Sequence, residues 1–242
     1  MQPVFIEAIT LDDAWHQAVY NLFEQGKRYT IDQGSYAGSE RIEFDFVVIH
    51  IKRPGEEPRL PVIPEYLNIP PPATKEYVAQ YFESYIMSGR KGPGEDYTYG
   101  ERLVKAERKW CSLSACTAQA GPDESPFFNQ VEEIISRYKQ CGLNNNQLIL
   151  QIGSPSDLLL DDPPCLRHID TKVRDEALHF FPYFRSWDLW GGFPANLAAL
   201  QLLKEYMAGE IGVNDGEIIA TSKGLHIYKH VEELAKLRFG RT

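Results

Sequence analysis

The sequence predicts a mixed α/β (α+β) fold, a layered mixed sheet with packed helices, in a single domain over residues 1–242. Three observations carry that prediction. Segments with apolar residues at helical spacing alternate along the chain with short β-branched and aromatic runs. The composition, 43% hydrophobic and 24% charged, is that of an ordinary globular chain. At 242 residues the chain can bury roughly 70–75% of its unfolded surface, enough for one substantial core.

Taken in order, Leu11, Ala14, Ala18 and Leu22 share one helical face over Leu11–Phe23, with Thr10 placed to cap its start and Gly26 to end it. Asp32–Gly38 reads as a turn, and Ile42–Ile51 as a strand stopped by Arg53-Pro54-Gly55. Residues 54–72 hold seven of the sixteen prolines, and each lacks a backbone donor, so this stretch is a loop with extended pieces. A helix capped by Thr74 runs to Met87 with Gly89 closing it, and Gly92–Gly100 is rich in turn residues. From Ser125-Pro126 to Tyr138 a second amphipathic helix carries Phe128, Val131, Ile134, Ile135 and Tyr138 on one face. The period then changes. Gln147–Ile152 is a short apolar strand, and strands Ile169–Val173 and Ala177–Arg185 flank a turn at Arg174-Asp175-Glu176. Asn196–Met207 is helical, with Gly209 and an Asn214-Asp215-Gly216 turn after it. A strand pair, Ile218–Thr221 and Leu225–Tyr228, leads into a last helix over Val231–Arg238.

Charge and cysteine usage narrow the function. With 34 acidic against 25 basic side chains the net charge is -9, which argues against a nucleic-acid groove, because such grooves neutralise phosphate with clustered Lys and Arg. An anionic ligand must therefore be met by a few local bases. No apolar run approaches the roughly 18 residues of a membrane span, and Met1-Gln-Pro-Val-Phe has no basic leader, so a cytoplasmic protein is expected. Cys111, Cys116, Cys141 and Cys165 are too sparse for a disulfide scaffold and form no CxxC pair; reduced thiols and no metal are expected. His226 and His230 have the i, i+4 spacing of helical metal ligands, but they straddle a strand end and a helix start.

The chemistry is concentrated between Pro163 and Tyr228, in Pro163-Pro164-Cys165, Arg185-Ser186-Trp187-Asp188, Gly192-Phe-Pro-Ala-Asn196 and His226-Ile-Tyr228. Each piece has a plain reading: Cys165 as a small buried hydrophobe, Arg185 as a charge ending a strand, Asp188 as its partner or a turn cap, Asn196 as a helix cap. Trp187 and Trp190 read as packing residues, and Trp110 as packing or as a stacking platform. Cys165 is also a candidate nucleophile, since a free thiol with a pKa of about 8.5 beside a cation such as Arg185 gains thiolate. His226 and Tyr228 alternate on a strand and share a face.

In this order and spacing the four elements resemble the thymidylate synthase family, whose signature is a Pro-Cys nucleophile, Arg-Ser-x-Asp, Gly-x-Pro-x-Asn at a helix start, and His-x-Tyr. Tyr97-Thr-Tyr99-Gly100-Glu-Arg102 is similar to the family's Tyr-Gly-x-x-Arg element. The likeness covers Gln147–Tyr228, more loosely Asp96–Arg102, and is not legible before residue 95. Pro-Pro-Cys-Leu-Arg and the short length look most like compact archaeal-type members. The resemblance implies the family's fold, a homodimer paired through its sheets, and methyl transfer to C5 of dUMP in dTMP biosynthesis. The co-substrate it implies is 5,10-methylenetetrahydrofolate or a modified methylene-tetrahydropterin.

Residue roles follow by matching the motifs. Cys165 would add to C6 of the uracil, Arg185 and Ser186 would meet the phosphate, and Asn196 would pair with the base edge. Asn accepts from N3–H and donates to O4 of uracil, whereas relatives acting on cytosine nucleotides carry Asp there. His226 and Tyr228 would reach the sugar 3′-hydroxyl, Tyr99 would help remove the C5 proton through water, and Asp188 would meet the pterin ring.

The chain departs from the family at several positions. Leu166 stands where most members carry His, and Phe184 where many carry Gln. Asn144-Asn-Asn-Gln147 replaces an Arg pair that reaches the partner subunit's phosphate; Arg167, Lys172 and Arg28 are the substitutes available. The chain stops fourteen residues after Tyr228, short of the segment that closes over folate in longer members, leaving the loop at 54–72 as a cover or the intermediate open to water. Glu65, Glu76 and Glu83 are equal candidates for the family's water-organising glutamate. Two alternatives stand beside the methyltransferase: a pyrimidine-nucleotide C5-hydroxymethylase using the same donor, and a nucleotide-binding relative without catalysis.

Overall fold

The computed structural model describes residues 1–107 and 126–240; Trp110, Cys111 and Cys116 lie outside the described residues. The chain runs β1 (Pro3–Ala8), α1 (Leu11–Gln25), β2 (Lys27–Thr30), β3 (Glu40–Glu43), β4 (Phe46–Ile51), α2 (Lys75–Tyr81), α3 (Tyr99–Val104), β5 (Ala106–Glu107) and β6 (Phe127–Phe128). It continues with α4 (Gln130–Cys141), β7 (Ile149–Gln151), β8 (Leu166–Arg174), β9 (Ala177–Phe184), β10 (Trp187–Asp188), α5 (Gly192–Ile211), β11 (Asn214–Ser222), β12 (Leu225–Tyr228) and α6 (Lys229–Arg238). A six-stranded mixed sheet has the order β1-β4-β11-β9-β8-β7, and a four-stranded sheet the order β10-β12-β3-β2. This is the expected mixed α+β architecture of helices on a layered mixed sheet.

The large sheet is two-faced because its strands alternate. Val4, Ile6 and Ala8 of β1, Val47, Ile49 and Ile51 of β4, and Leu178, Phe180 and Phe184 of β9 are buried. They join one hydrophobic core with Ala14, Trp15, Ala18 and Leu22 of α1 and Phe193, Leu197, Leu200 and Leu203 of α5. The intervening residues, among them Phe5, Val48, Phe181, Tyr183 and Ile219, point to the opposite face and are half-buried or exposed. α5 is apolar nearly all round, as a helix at the centre of a core must be. Its Lys204 is fully buried, and the ammonium caps the Gly216 carbonyl and pairs with Asp215 at 2.9 Å, where the pairing of β11 with β9 slips register.

Several local expectations hold. Thr10 accepts from Asp13 N–H at 3.2 Å to cap α1, Thr74 caps α2, and Asp175 and Glu176 form the β8–β9 turn at positive φ. Others are corrected. Ile42–Ile51 is two strands in different sheets: the chain leaves β3 at Phe44-Asp45 and enters β4 in the other layer. The helix begun at Pro126 starts instead after Asn129, whose side chain caps Val131 and Glu132, while Phe127–Phe128 pair as a strand with β5. Asn214-Asp215-Gly216 opens β11; the turn lies earlier, at Gly212 with φ 88°. Leu225–Tyr228 pairs with β3 and β10, not with β11. Asn196 lies within α5, which begins at Gly192, so it is not that helix's cap.

Candidate functional site

The β8–β9 hairpin brings Cys165 and Arg185 side by side. Leu166 pairs with Phe184, and Arg185 N–H donates to the Cys165 carbonyl at 2.8 Å. Tyr99, buried at the start of α3, accepts a hydrogen bond from Leu166 N–H at 3.2 Å and so closes the site from the helix side. Gly100 lets the start of α3 approach the chain at 86–88: a β-carbon there would sit 2.2 Å from the Ser88 carbonyl oxygen. α3 thereby packs directly against the end of the helical run 82–86 that continues α2.

Cys165 is a free, half-buried thiol. Burial pushes its pKa up; Arg185 pulls it down, Asp162 pushes it up, Arg41 pulls it down and Asp188 pushes it up. The expected gain of thiolate from Arg185 is therefore outweighed by desolvation, because a buried anion loses its hydration before one neighbouring cation replaces it. The guanidinium is also shared: it donates to Asp162 at 3.0 Å, to the Pro164 carbonyl at 3.2 Å, and to the Pro163 carbonyl. It thus braces the loop that delivers Cys165.

Around the thiol stands a wall of phenols. Tyr81, Tyr85, Tyr97, Tyr99 and Tyr228 all lie within electrostatic reach of Cys165. Burial raises Tyr85 and Tyr228 to about 12 and Tyr81 and Tyr99 well above 10, so all stay neutral hydrogen-bonding groups. Asn196 joins this wall: its Nδ2 donates to Tyr81 Oη at 2.9 Å, and its Oδ1 accepts from Trp187 Nε1 at 3.0 Å. His226 is buried, with Nδ1 on the Gly224 carbonyl at 2.8 Å and Nε2 without a partner among the described residues. Burial lowers its pKa to about 3, so the ring is neutral. Its ring meets Tyr228 edge-on at 4.5 Å, and Tyr228 stacks on Tyr36 at 4.4 Å, consistent with alternate residues sharing one face of β12.

Asp188 does act as a turn cap. It accepts from Trp190 N–H at 3.2 Å, Gly191 N–H at 3.0 Å and Gly192 N–H at 2.9 Å, at the entry to α5. Its backbone pairs with His226, which ties the two motifs together. Ser186 is half-buried beside Arg185, and its hydroxyl makes no hydrogen bond to the described residues. Trp187 and Trp190 are buried packing residues, and Trp187 also bonds to Asn196.

Sequence reasoning missed Arg41, Tyr81 and Tyr85, and named Tyr97 within a motif without giving it a role. Arg41 sits on β3 with no motif around it; the tyrosines recur at 77, 81 and 85, a helical spacing that was legible but unassigned. Of the substitute bases, Arg167 is held by Asp157 at 2.9 Å and Arg28 by both carboxylate oxygens of Glu232. Lys172 lies six residues along β8 from Leu166, roughly 20 Å away at the rise of a strand. Glu65, Glu76 and Glu83 are all exposed, and none is coupled to Cys165. His230 stacks on Tyr228 at 5.7 Å, and among the described residues no cluster of His, Cys, Asp or Glu is placed to hold a metal. No described helix is long and apolar enough to cross a membrane.

The family model described as thymidylate synthase matches residues 85–242, which includes Tyr99, Cys165, Arg185, Ser186, Asp188, Asn196, His226 and Tyr228 but not Arg41 or Tyr81. The chain belongs to the thymidylate synthase family. It is a thymidylate-synthase-like enzyme, and the match reaches back beyond the point where the likeness was legible. Among similar proteins, a Methanosarcina acetivorans chain named "Putative thymidylate synthase" is 29% identical over 235 residues, 96% of this chain and 94% of its own. A Methanothermobacter thermautotrophicus chain of the same name is 29% identical over 242 residues, 96% and 98% of the two. The thymidylate synthase of Listeria monocytogenes is 32% identical over 115 residues, 47% of this chain and 36% of its own. The nearly full-length archaeal likenesses agree with the compact form read from the sequence. Thymidylate synthases act on dUMP-type nucleotides and use methylenetetrahydrofolate-type donors.

Proposed function

We propose that this chain is a methyltransferase that converts dUMP to dTMP, with Cys165 as the nucleophile. The observation that carries the reading is the grouping of Cys165 with the phenol wall, Arg185 and the doubly bonded Asn196. Uracil C5 is a poor nucleophile until a thiolate adds at C6, and a thiol with a guanidinium as its neighbouring cation suits that addition. A thiol pushed up by burial is protonated when free; Arg185 is the neighbouring cation that favours the thiolate, and a phosphate would compete with Asp162 for its guanidinium.

In this reading Arg185 and Ser186 hold the phosphate, and Asn196 reads the N3–O4 edge with the amide N–H and oxygen lone pair left over. Tyr228 and the neutral His226, whose Nε2 is buried and without a partner among the described residues, meet the 3′-hydroxyl. A buried polar nitrogen without a partner is costly, and a ligand hydroxyl would satisfy it. Tyr99, fixed by Leu166 N–H, orients the water that takes the C5 proton.

The co-substrate, a methylene-tetrahydropterin, supplies the one-carbon unit and the hydride. Asp188 suits its ring, because three backbone N–H groups hold the carboxylate in one orientation, two on Oδ2 and one on Oδ1, so that Oδ1 keeps lone-pair capacity for a further donor. A homodimer paired through the open face of the six-stranded sheet, where Phe5 is 64% exposed, would cover that apolar surface. A single domain working in the cytoplasm accords with this account.

The test is product mass. After turnover of dUMP with methylenetetrahydrofolate or methylene-tetrahydromethanopterin, a nucleotide 14 mass units heavier and a stoichiometric dihydropterin are expected. A 5-hydroxymethyl product without dihydropterin would assign the protein as a hydroxymethylase, and binding without turnover as a non-catalytic relative.

A further inference from the structure

We infer that Trp187 and Tyr81 are positioning residues that set uracil-over-cytosine selectivity by holding the Asn196 amide in one of its two flip states. The inference rests on the dUMP reading above and deepens it. A carboxamide is nearly symmetric in shape but not in chemistry. One flip presents an acceptor and a donor in the order that matches uracil N3–H and O4; a half-turn reverses that order and matches cytosine N3 and its amino group. A freely turning Asn196 would serve both bases.

The surroundings do not let it turn. An indole nitrogen is a donor with no acceptor capacity, so the Asn196 atom 3.0 Å from Trp187 Nε1 has to be the oxygen. The opposite flip would set the amide NH₂ against the indole N–H, donor against donor. The indole is not free to turn away, because it packs against Phe184, at 3.9 Å and 5° from parallel, and Phe193, at 4.6 Å and tilted by 32°. It is also only 2% exposed. On the other side Tyr81 Oη accepts from Nδ2 at 2.9 Å, and Tyr81 is held in a ladder with Tyr77 and Tyr85 at ring separations of 6.1 and 5.1 Å.

The two contacts are unequal. A hydroxyl can donate as well as accept, so Tyr81 clamps the amide without choosing its flip, whereas the indole chooses it. Together they use one oxygen lone pair and one N–H, leaving one of each for the base. Selectivity is then written in two side chains that need not touch the base.

The experiment is calorimetric titration of dUMP and dCMP into the wild-type protein and the variants Trp187→Phe, Tyr81→Phe, Asn196→Asp and Asn196→Asp with Trp187→Phe. In Trp187→Phe the preference for dUMP over dCMP should fall about tenfold, the scale of one unpaired polar group in a hydrogen-bonding site, mainly through gained dCMP affinity. Tyr81→Phe should lower it less. In the Asn196→Asp background, where a carboxylate has no flip to lose, Trp187→Phe should leave the preference unchanged. A wild-type preference kept intact in both single variants would overturn the inference, as would an equal effect of Trp187→Phe in both backgrounds, which would mark a merely structural role. If Trp187→Phe fails to fold, Trp187→His, whose ring can accept as well as donate where an indole only donates, carries the same prediction. If the wild type binds neither nucleotide, the dUMP reading itself falls and the inference with it.

Discussion

Replacing Asp162 by Asn should tighten nucleotide binding, although it removes an ion pair. Asp162 holds the guanidinium of Arg185 at 3.0 Å, and a phosphate seeking that arginine has to displace it. The pair is open to water, with Arg185 28% and Asp162 62% exposed, so its strength is that of a surface pair, about 0.2–1 kcal/mol. Releasing that competition should lower the Kd for dUMP by about 1.4- to 5-fold, at 1.4 kcal/mol per tenfold. The gain should shrink at high salt, as exposed charges are screened. A second readout comes from the thiol. Asp162 pushes the Cys165 pKa up, so in Asp162→Asn the pH profile of iodoacetamide alkylation should move to lower pH. Calorimetry gives the first quantity and mass-resolved alkylation the second. A Kd that is unchanged or weaker, together with an unmoved alkylation profile, would refute the view that Asp162 occupies the place of the phosphate.

Stability should fall in acid through His226. Its folded pKa of about 3 lies below the 6.5 of an unhindered ring, so between those values the unfolded chain binds a proton that the folded chain refuses. Stability contributed at neutral pH is lost as pH drops from 6.5 towards 3, up to about 5 kcal/mol at 1.36 kcal/mol per pKa unit. Urea unfolding at pH 7.5, 6, 5 and 4 should show this slope flattened in His226→Gln, and an identical slope in both proteins would contradict it. Lys204→Met should destabilise by about 1–3 kcal/mol in the same assay, because the Gly216 carbonyl and Asp215 lose their buried partner. Asp215 is 31% exposed and keeps Gln201, which holds the cost below that of a fully buried orphan charge; no change at all would contradict a stabilising role for the lysine.

What was legible in the sequence is what a local signal writes. Thr10 and Thr74 cap helices because a hydroxyl before an apolar-periodic run has few better uses, and the β8–β9 hairpin shows itself by alternation around Asp175-Glu176. What was not legible depends on tertiary choice. Residues 40–51 are continuously strand-like, and only the core decides that the chain changes sheets at Phe44-Asp45. β1 lies too near the terminus to show much alternation, yet it pairs in parallel with β4 along its whole length. Asn214-Asp215-Gly216 carries turn chemistry, but the buried Lys204 holds it extended at the head of β11. At the site, the motifs named Cys165, Arg185, Asn196 and Asp188, and the structure brings Cys165 and Arg185 into backbone contact. The thiol's net shift could not be read from spacing, since Arg185 and burial act in opposite directions and only geometry ranks them. Arg41 and the Tyr81 clamp were hidden for the same reason: each acts through a neighbour distant in sequence.

The central claim is that Cys165 activates dUMP at C5. Tritium release from [5-³H]dUMP in the presence of a methylene-tetrahydropterin tests it most directly, because the C5 hydrogen has to leave when that carbon is substituted and donor dependence separates this from exchange with water. The account predicts release that depends on the donor, is competed by unlabelled dUMP, and is abolished in Cys165→Ala. Release that persists in Cys165→Ala, or its absence from the wild-type protein with both folate and methanopterin donors, would contradict it.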